Sequence, residues 1–385
     1  MNLGPEFRLF CLALRRQGPA EIREMRALAA GVKNWDRIVH GARRHRLATV
    51  VLAALQSCDC APPHVIGGLR RLSLAATRRS LGHLAEAGRL TALFAGAGCR
   101  VLLLKGAALS AQLYGEPTRR TTRDIDLLVD PDQFLLARQL MLAAGYRQRL
   151  DLKSPRRHAA YLPLMKELEY LHPATGELVE LHHRLVANPH FFPIDFATLW
   201  NEREEVSLGG VVVATLGRRR LPLYLCAHGA DHAWARLHWL TDFAAAMEQA
   251  DIGASLEAAD AAGLRAPFLH SLLLAHDWLS FPIADSVPAE RRRSAQVRWL
   301  DWLLARLYRA ADWHDPTPKG ILRYALLERL YRLALRLDRR YWLDQLKADW
   351  FCPSDWDAVP LPERLFWLYP FIRPWGWLLR RRSLS

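Results

Sequence analysis

Long apolar runs are missing from this sequence of 385 residues. No uninterrupted stretch approaches the roughly 18 residues that a membrane-spanning helix requires, so we predict no transmembrane segment. Cysteine is also scarce, with six in the chain and no CxxC pair among them. We therefore predict reduced thiols in a cytoplasmic protein. The N-terminus has only a short apolar patch without a cleavage-site pattern, which does not indicate a signal peptide.

Acidic residues are the minority among the charged ones, with 39 Asp and Glu against 53 Lys and Arg and a net charge of +14. A basic surface favours anionic partners such as nucleotides, nucleic acid or an acidic membrane. The excess is mostly arginine spread over helices, which is weak evidence for nucleic acid. With 51% hydrophobic and 24% charged residues, the chain is globular and long enough for two or three domains.

The segment 101–130 carries the clearest pattern in the chain. It predicts, in order, a buried strand, a glycine turn, a helix, a basic loop and a second strand. Gly115 and Pro117 supply the stop signal for the helix. The pieces are Val101–Leu104, Lys105-Gly106, Ala107–Leu113, Arg119–Arg123 and Asp124–Val129.

Two carboxylates share one face of the second strand, because side chains alternate along a strand and Asp124 and Asp126 are two apart. Adjacent carboxylates repel each other, and a divalent cation such as Mg²⁺ is the natural compensation. The Lys105-Gly106 turn places backbone N–H groups at a helix N-terminus, which is a ready anion site. Together these features suggest a metal–nucleotide site.

A hairpin is predicted further on, with strands Glu167–His172 and Glu177–Leu185. Glu180 and His182 share one face of the return strand. A carboxylate at Glu180 could accept a proton from an attacking hydroxyl, and Glu169 is the competing carboxylate. His182 could contact phosphate, orient a carboxylate of the site, or only pack.

The segment from Pro222 to about Gln249 reads as one long helix. A stripe of this helix carries His228, His232, Trp239 and Asp242, with Arg236 on its flank. The stripe could contact nucleotide or acceptor, or form a purely structural network. A zinc site is the remaining alternative, but the glutamate that would follow the first histidine is replaced by Gly229.

These motifs together resemble a known family. The sequence KGAALSAQLYG, followed by RxxxDIDLLV and ELHHRL, resembles the bacterial uncharacterised nucleotidyltransferase family of the DNA polymerase β-like superfamily. The resemblance covers roughly residues 30–250 and extends to the spacing of His228, His232, Arg236 and Asp242. The sequence departs from it at Arg123, where the family usually has a small residue.

The resemblance implies an enzyme that uses Mg²⁺, with one or two ions, and a nucleoside triphosphate, ATP being the expected one. It implies Asp124, Asp126 and Glu180 as catalytic and metal-binding residues. The expected nucleotide contacts are Lys105, Gly106, Arg120, Arg123, His182, His228, His232 and Arg236. The expected fold is α+β: a small mixed sheet in a catalytic core of residues 96–220, between helical regions 1–95 and 221–385.

The acceptor stays open, and a peptide, a small molecule, a protein or tRNA would each suit a basic surface. By family association we expect a hydroxyl or phosphate on a peptide or natural product, as in peptide tailoring. Kinase-type phosphoryl transfer and a non-catalytic nucleotide or nucleic-acid binding module are the alternatives. The basic segment 151–160 is predicted to be a loop over the nucleotide. The aromatic, basic C-terminal tail is expected to dock onto the protein, with peripheral membrane contact as the alternative.

Overall fold

The computed structural model describes residues 4–150, 160–284, 286–315, 320–351, 359, 361–369 and 371–372. Seven strands within these ranges form a single mixed sheet, in the order β3-β4-β5-β2-β1-β7-β6. β2 pairs with β5 and β1 with β7 in parallel, and the other neighbours are antiparallel. The strands are β1 Val101–Leu103, β2 Ile125–Val129, β3 Arg147–Gln148, β4 Glu167–Leu171, β5 Leu178–His182, β6 Glu204–Leu208 and β7 Val211–Thr215.

Helices cover both faces of this sheet, which confirms the predicted α+β class. Helices before the sheet are α1 Pro5–Ala13, α2 Pro19–Ala29, α3 Asp36–Arg44, α4 Ala48–Cys58 and α5 Pro63–Gly96. Between strands lie α6 Gly106–Tyr114, α7 Phe134–Ala143 and α8 Phe196–Asn201. The C-terminal helices are α9 Leu221–Asp231, α10 Leu237–Met247, α11 Ile252–Ala261, α12 Arg265–Leu279, α13 Ser286–Arg293, α14 Ala295–Ala310, α15 Ile321–Ala334 and α16 Arg339–Trp350.

The two faces of the sheet have separate cores, as strand alternation requires. On one face, Leu103 and Leu127 pack with Phe94 of α5 and Phe134 of α7. On the other, Leu102, Leu104 and Leu128 join a core built from the N-terminal helices and α9 to α12. Asp126, Glu180 and His182 belong to this second face, so the site lies between the sheet and the surrounding helices.

A buried histidine ties the N-terminal helices to the rest of the chain. His45 Nε2 lies 2.7 Å from the carbonyl oxygen of Trp313, and its Nδ1 accepts a hydrogen bond from the Leu237 backbone N–H at 3.1 Å. Because Nδ1 accepts, the imidazole is neutral and donates through Nε2. Burial, with the charge of Arg44 second, lowers the pKa of His45 from 6.5 to about 3.

Stability should therefore fall in acid through His45. A folded-state pKa below the unfolded value means that the unfolded chain binds the proton first, so the unfolding free energy decreases as pH falls below about 6.5. The loss from one such group is roughly 1.4 kcal/mol per pH unit until the folded-state pKa is reached. We would measure the free energy of unfolding in urea at several pH values between 7 and 5. It should fall less steeply with decreasing pH for His45→Gln than for wild type. The exposed His40→Gln should keep the wild-type slope, and a His45→Gln slope equal to wild type would contradict the prediction.

The cysteine prediction is wrong for one pair. Cys58 and Cys60, at the end of α4, form a disulfide with their Cα atoms 5.3 Å apart, a normal separation for a disulfide. Cys11, Cys99 and Cys226 are free and buried, whereas Cys352 lies outside the described residues. The CxC spacing does not by itself indicate a disulfide, because the two cysteines meet only where the backbone turns. Asp59 between them supplies that turn, with a left-handed conformation at φ 49°.

No helix among the described residues is both long enough and apolar enough to cross a membrane. Two other sequence predictions fall largely outside the described part of the chain. They are the basic loop at 151–160 and most of the C-terminal tail.

Candidate functional site

Strand pairing brings two carboxylates and an imidazole together. Asp126 of β2 lies opposite Glu180 of β5 in the parallel register, and His182 is two residues further along β5 on the same face. His182 Nε2 lies 3.3 Å from Asp126 Oδ1 and 3.3 Å from Glu180 Oε2. The three side chains each offer one ligand atom, and these atoms lie within 4.8 Å of one another. This arrangement could hold a metal ion.

Lys105 supplies the nearest positive charge. It precedes α6, and its Nζ lies 2.8 Å from Asp126 Oδ1, with both side chains almost fully buried. Burial alone would raise the pKa of Asp126, but Lys105, followed by His182, holds that pKa well below its usual range. Burial alone would lower the pKa of Lys105, which Asp126 instead raises. Both groups are therefore charged at neutral pH.

The turn at Lys105-Gly106 places the N-terminus of α6 beside Asp126. Gly106 has φ 63°, a left-handed conformation that favours glycine. Leu104 donates its backbone N–H to the Asp126 carbonyl at 3.0 Å, which fixes the turn beside the carboxylate. The predicted anion site and the carboxylates are thus adjacent.

Asp124 is placed differently from Asp126. It precedes β2, and its Oδ1 accepts a hydrogen bond from Thr122 Oγ1 at 3.0 Å. Its carboxylate is not in the group formed by Asp126, Glu180 and His182. Metal binding by Asp124 stays a prediction, since its carboxylate lies outside this group.

A second lysine and a further carboxylate lie on the Nδ1 side of the His182 ring. Glu167 lies opposite His182 in the antiparallel β4–β5 pair, with Glu167 Oε2 3.3 Å from His182 Nδ1. Lys166 Nζ contacts the Glu167 carboxylate and lies 4.0 Å from Glu180 Oε2. Glu169, the competing carboxylate, instead pairs with Arg149 at 2.7 Å and is partly exposed. Glu169 lies opposite Glu180 in the β4–β5 pair, but only Glu180 has an oxygen in the group with Asp126 and His182.

The single helix predicted from Pro222 to Gln249 is wrong, because α9 ends at Asp231 and α10 begins at Leu237. Ala233 and Trp234 have positive φ angles between them. The buried Trp234 indole folds back onto Gly229, where an added Cβ would lie 2.3 Å from the ring. Packing of one indole against one glycine thus ends the helix, and helical periodicity alone does not reveal it.

The aromatic residues of the predicted stripe still lie in contact, although they come from two helices, α9 and α10, and not from one. The rings of His228, His232 and Trp239 form a triangle with centroids 4.9 to 5.1 Å apart. Burial, followed by the charge of Lys105, lowers the pKa of His228 well below 6.5, and burial lowers that of His232 to about 4. Both imidazoles are therefore neutral at pH 7, and they could donate or accept hydrogen bonds without adding charge.

Tyr224 extends this helix face toward the carboxylates. It lies one turn before His228 on α9, and its buried hydroxyl has no hydrogen-bond partner among the described residues. Burial raises the pKa of Tyr224 to about 12, with Lys105 and Asp126 the nearest charges acting on it. The hydroxyl is therefore a neutral donor beside the site.

Arg120 forms an ion pair with Asp242. Its Nε lies 2.7 Å from Asp242 Oδ2, and Tyr114 donates its hydroxyl proton to Asp242 Oδ1 at 3.0 Å. Both members of the ion pair are buried. A phosphate contact by Arg120 would require this pair to open, so that role stays a prediction.

Three other arginines gather around Asp124. Thr121 Oγ1 donates a hydrogen bond to the carbonyl oxygen of Arg46 at 2.9 Å. The charges of Arg123 and Arg236 both act on the Arg46 guanidinium, which places the three groups near one another. Burial, then Arg236, lowers the pKa of Arg46 to about 10, and Asp124 opposes this. Three cations around one carboxylate leave a surplus of positive charge where an anion could bind.

The donor atoms of the carboxylate–imidazole group fit a divalent cation. Asp126 Oδ1 and both ring nitrogens of His182 are buried and make no hydrogen bond of good geometry, despite their short distances to charged neighbours. Buried polar atoms are rarely left so. A cation would satisfy acceptor atoms that converge in this way, and Lys105 supplies a positive charge at only one of them, Asp126 Oδ1. Asp and Glu oxygens are ligands that Mg²⁺ accepts.

Residues 32–280 match the family described as uncharacterised nucleotidyltransferase. The chain belongs to this family. The match includes Lys105, Asp126, Glu180, His182 and the helices α9 and α10. Comparison with curated proteins gave no match.

Family membership indicates that this nucleotidyltransferase uses a nucleoside triphosphate in a transfer reaction. Proteins of this activity generally bind a divalent metal, and the buried carboxylate–imidazole group could hold one. The matched range begins between α2 and α3 and ends one residue after α12, so it includes the sheet and both sides of the site.

Sequence reasoning missed four residues of this nucleotidyltransferase site: Arg46, Lys166, Glu167 and Tyr224. Glu167 was readable as a residue on the same face as Glu169, but its partner depends on the β4–β5 register. Tyr224 lies four residues before His228, a spacing that places it on the same helix face. Arg46 and Lys166 are in loops, where no periodicity indicates direction.

Proposed function

We propose that this protein transfers a nucleoside monophosphate from a nucleoside triphosphate, with ATP expected, to an acceptor hydroxyl or phosphate in the presence of Mg²⁺. The observation that carries the proposal is the position of Asp126, Glu180 and His182 beside the N-terminus of α6. A metal–nucleotide complex needs acidic ligands and an anion site next to each other, and the carboxylates beside the α6 N-terminus would meet both needs.

In this proposal Asp126 and Glu180 hold the metal, which would stabilise the charge that develops on the attacking and leaving oxygens. Asp124 is the further carboxylate for a second ion. Glu180, the most exposed of the buried group, could also accept the proton of the acceptor hydroxyl.

The phosphates are proposed to lie along the α6 N-terminus. The backbone N–H groups after Gly106 and the Lys105 ammonium face this region, and Arg46, Arg123 and Arg236 extend the positive charge past Asp124. His228 and His232 would then contact the nucleotide or acceptor from α9 as neutral groups. The acceptor is proposed to be a peptide or natural product, with protein, tRNA and small molecules as the classes to screen.

The position of the transferred label tests the reaction. The protein should be incubated with Mg²⁺ and each nucleoside triphosphate, labelled in turn at the α- and the γ-phosphate, together with fractionated peptide, RNA and protein pools. Label from the α-position alone supports nucleotidyl transfer. Label from the γ-position alone contradicts it and supports a kinase. Tight nucleotide binding with no transfer to any pool would favour a binding module.

Arg46 and Arg236 should matter for nucleotide affinity and little for stability. A charged hydrogen bond to phosphate contributes about 1.5–3 kcal/mol, so Arg46→Gln or Arg236→Gln should weaken binding by roughly 10- to 150-fold. Because burial, followed by repulsion from neighbouring arginines, lowers the pKa of both guanidinium groups, neutral replacements should not destabilise the fold. Calorimetric titration with ATP and Mg²⁺ measures the first effect and urea unfolding the second. Arg43→Gln, an exposed residue of α3, is the control, and unchanged affinity in both variants would contradict the prediction.

A further inference from the structure

We propose that His182 is a metal ligand rather than a phosphate contact. Asp126, Glu180 and His182 then form a mixed oxygen and nitrogen site that binds Mn²⁺ and similar transition-metal ions in preference to Mg²⁺. The inference rests on the function proposed above for what the metal does, but metal preference can be measured without turnover.

The position of Nε2 is the first argument. It lies 3.3 Å from a carboxylate oxygen on each side, one on Asp126 and one on Glu180, and the ring is fully buried. Phosphate cannot favourably enter between two carboxylates, because all the charges would have the same sign. A cation placed among these three atoms is attracted by every one of them.

The environment of Nδ1 is the second argument. Glu167 Oε2 lies 3.3 Å from it, on the side of the ring away from Asp126 and Glu180. With a cation on the Nε2 side, a carboxylate at Nδ1 favours the tautomer with the proton on Nδ1, and the Nε2 lone pair is then directed at the cation. Metal-binding histidines commonly have a carboxylate at the far nitrogen, and this partner orients the ring and raises its basicity. Glu167 is therefore a positioning residue.

Lys166 completes the arrangement. Its ammonium contacts the Glu167 carboxylate, and both side chains are mostly buried. Glu167 is thus held between a lysine and an imidazole, so it is not free to join the metal. Lys105 contacts Asp126 Oδ1 on the other side of the group, so a metal ion bound there would displace the ammonium from Oδ1 or use Oδ2.

Ligand chemistry then sets the preference among metals. Mg²⁺ takes oxygen ligands and keeps much of its hydration, whereas an imidazole nitrogen binds first-row transition ions more readily. Three carboxylates would favour Mg²⁺. Replacement of one of them by His182 shifts the preference toward Mn²⁺ and the later ions of the series.

The test uses the full-length protein, stripped of metal and titrated with MnCl₂ or MgCl₂ by calorimetry. We expect Mn²⁺ to bind at least about tenfold more tightly than Mg²⁺, and His182→Gln to remove most of that difference. Glu167→Gln should weaken Mn²⁺ binding by about 10- to 100-fold. His183→Gln is the matched control, because the neighbouring ring lies 2.8 Å from the Met165 carbonyl and belongs to the opposite face.

Electron spin echo spectra of the Mn²⁺-loaded wild type provide a readout that needs no variant to fold. Directly bound imidazole nitrogen gives a characteristic hyperfine modulation, which we expect to see and to lose in His182→Gln. Bound Mn²⁺ without nitrogen modulation would overturn the proposal, and so would a Mn²⁺ preference unchanged in His182→Gln. Either result would leave a carboxylate metal site and the proposed function standing. Failure of the wild type to bind either ion, with or without ATP, would overturn both.

Discussion

Asp126→Asn is expected to lower the free energy of unfolding by about 3–5 kcal/mol and to abolish nucleotide stabilisation that depends on Mg²⁺. The first effect follows from Lys105, whose buried ammonium lies 2.8 Å from the carboxylate that the substitution neutralises. Removal of one member of a buried ion pair leaves the other charge in a medium that solvates it poorly. The amide keeps the size of the carboxylate, so little of the loss comes from packing.

The second effect follows from ligand chemistry. A ligand that binds only the folded protein raises its stability by about 2.7 kcal/mol at a hundredfold excess over the dissociation constant. With wild type, ATP and Mg²⁺ together should give a shift that ATP alone does not give. With Asp126→Asn the shift should disappear, since the amide oxygen is a weaker ligand than a carboxylate. Urea unfolding in the presence and absence of each ligand measures both effects.

An exposed ion pair provides the control for this experiment. Glu202 pairs with Arg220 at 2.6 Å, and both side chains are about a quarter exposed. Because exposed pairs contribute only about 0–1 kcal/mol, Glu202→Gln should change stability little and leave the nucleotide shift intact. If Asp126→Asn kept the full Mg²⁺-dependent shift, the metal would lie elsewhere, with Asp124 the next residue to change.

The parts of the fold that sequence predicted well are those fixed by local chemistry. The Lys105-Gly106 turn, the helix after it and the strand with Asp126 follow from glycine placement and from alternation of apolar residues. The N-terminal region 1–95 was expected to be helical, and five helices lie between Pro5 and Gly96. The hairpin of β4 and β5 follows from its turn and its alternation.

The parts that failed depend on contacts between distant residues. The break after α9 requires Trp234 to pack on Gly229, and the disulfide requires Asp59 to adopt a left-handed turn. Strands β6 and β7, at one end of the sheet, and helix α8 are not revealed by the sequence patterns, because these short elements have weak periodicity.

In the site, too, features set by neighbouring residues could be predicted, and features set by residues far apart in the sequence could not. That Asp126 and Glu180 point to one face of their strands is readable from alternation. Their pairing across β2 and β5 depends on the sheet order, and it was expected from a family resemblance rather than from spacing. Electrostatic partners are the least readable feature, as Arg120 shows: its counter-ion Asp242 lies 122 positions away.

Asp242→Asn should therefore destabilise the protein about as much as Asp126→Asn does, by about 3–5 kcal/mol, for a different reason. It leaves the Arg120 guanidinium buried without its anion, and it weakens the hydrogen bond from Tyr114. Metal binding should survive, because Asp242 offers no ligand to the carboxylate–imidazole group. If both variants lose similar stability, but only Asp126→Asn loses metal binding, the structural ion pair and the metal site are distinct.

The double variant Arg120→Met with Asp242→Leu carries this argument further. Replacement of both charges by apolar side chains of similar size removes the unpaired charge, and such replacements are often neutral or stabilising by about 1–4 kcal/mol. The double variant should thus regain most of the stability that Asp242→Asn loses, as measured by urea unfolding. If it also binds ATP with Mg²⁺ as wild type does, Arg120 acts by supporting α6 and α10 and does not hold phosphate. A large loss of ATP affinity in a stably folded double variant would instead assign Arg120 to the nucleotide and require its ion pair with Asp242 to open on binding.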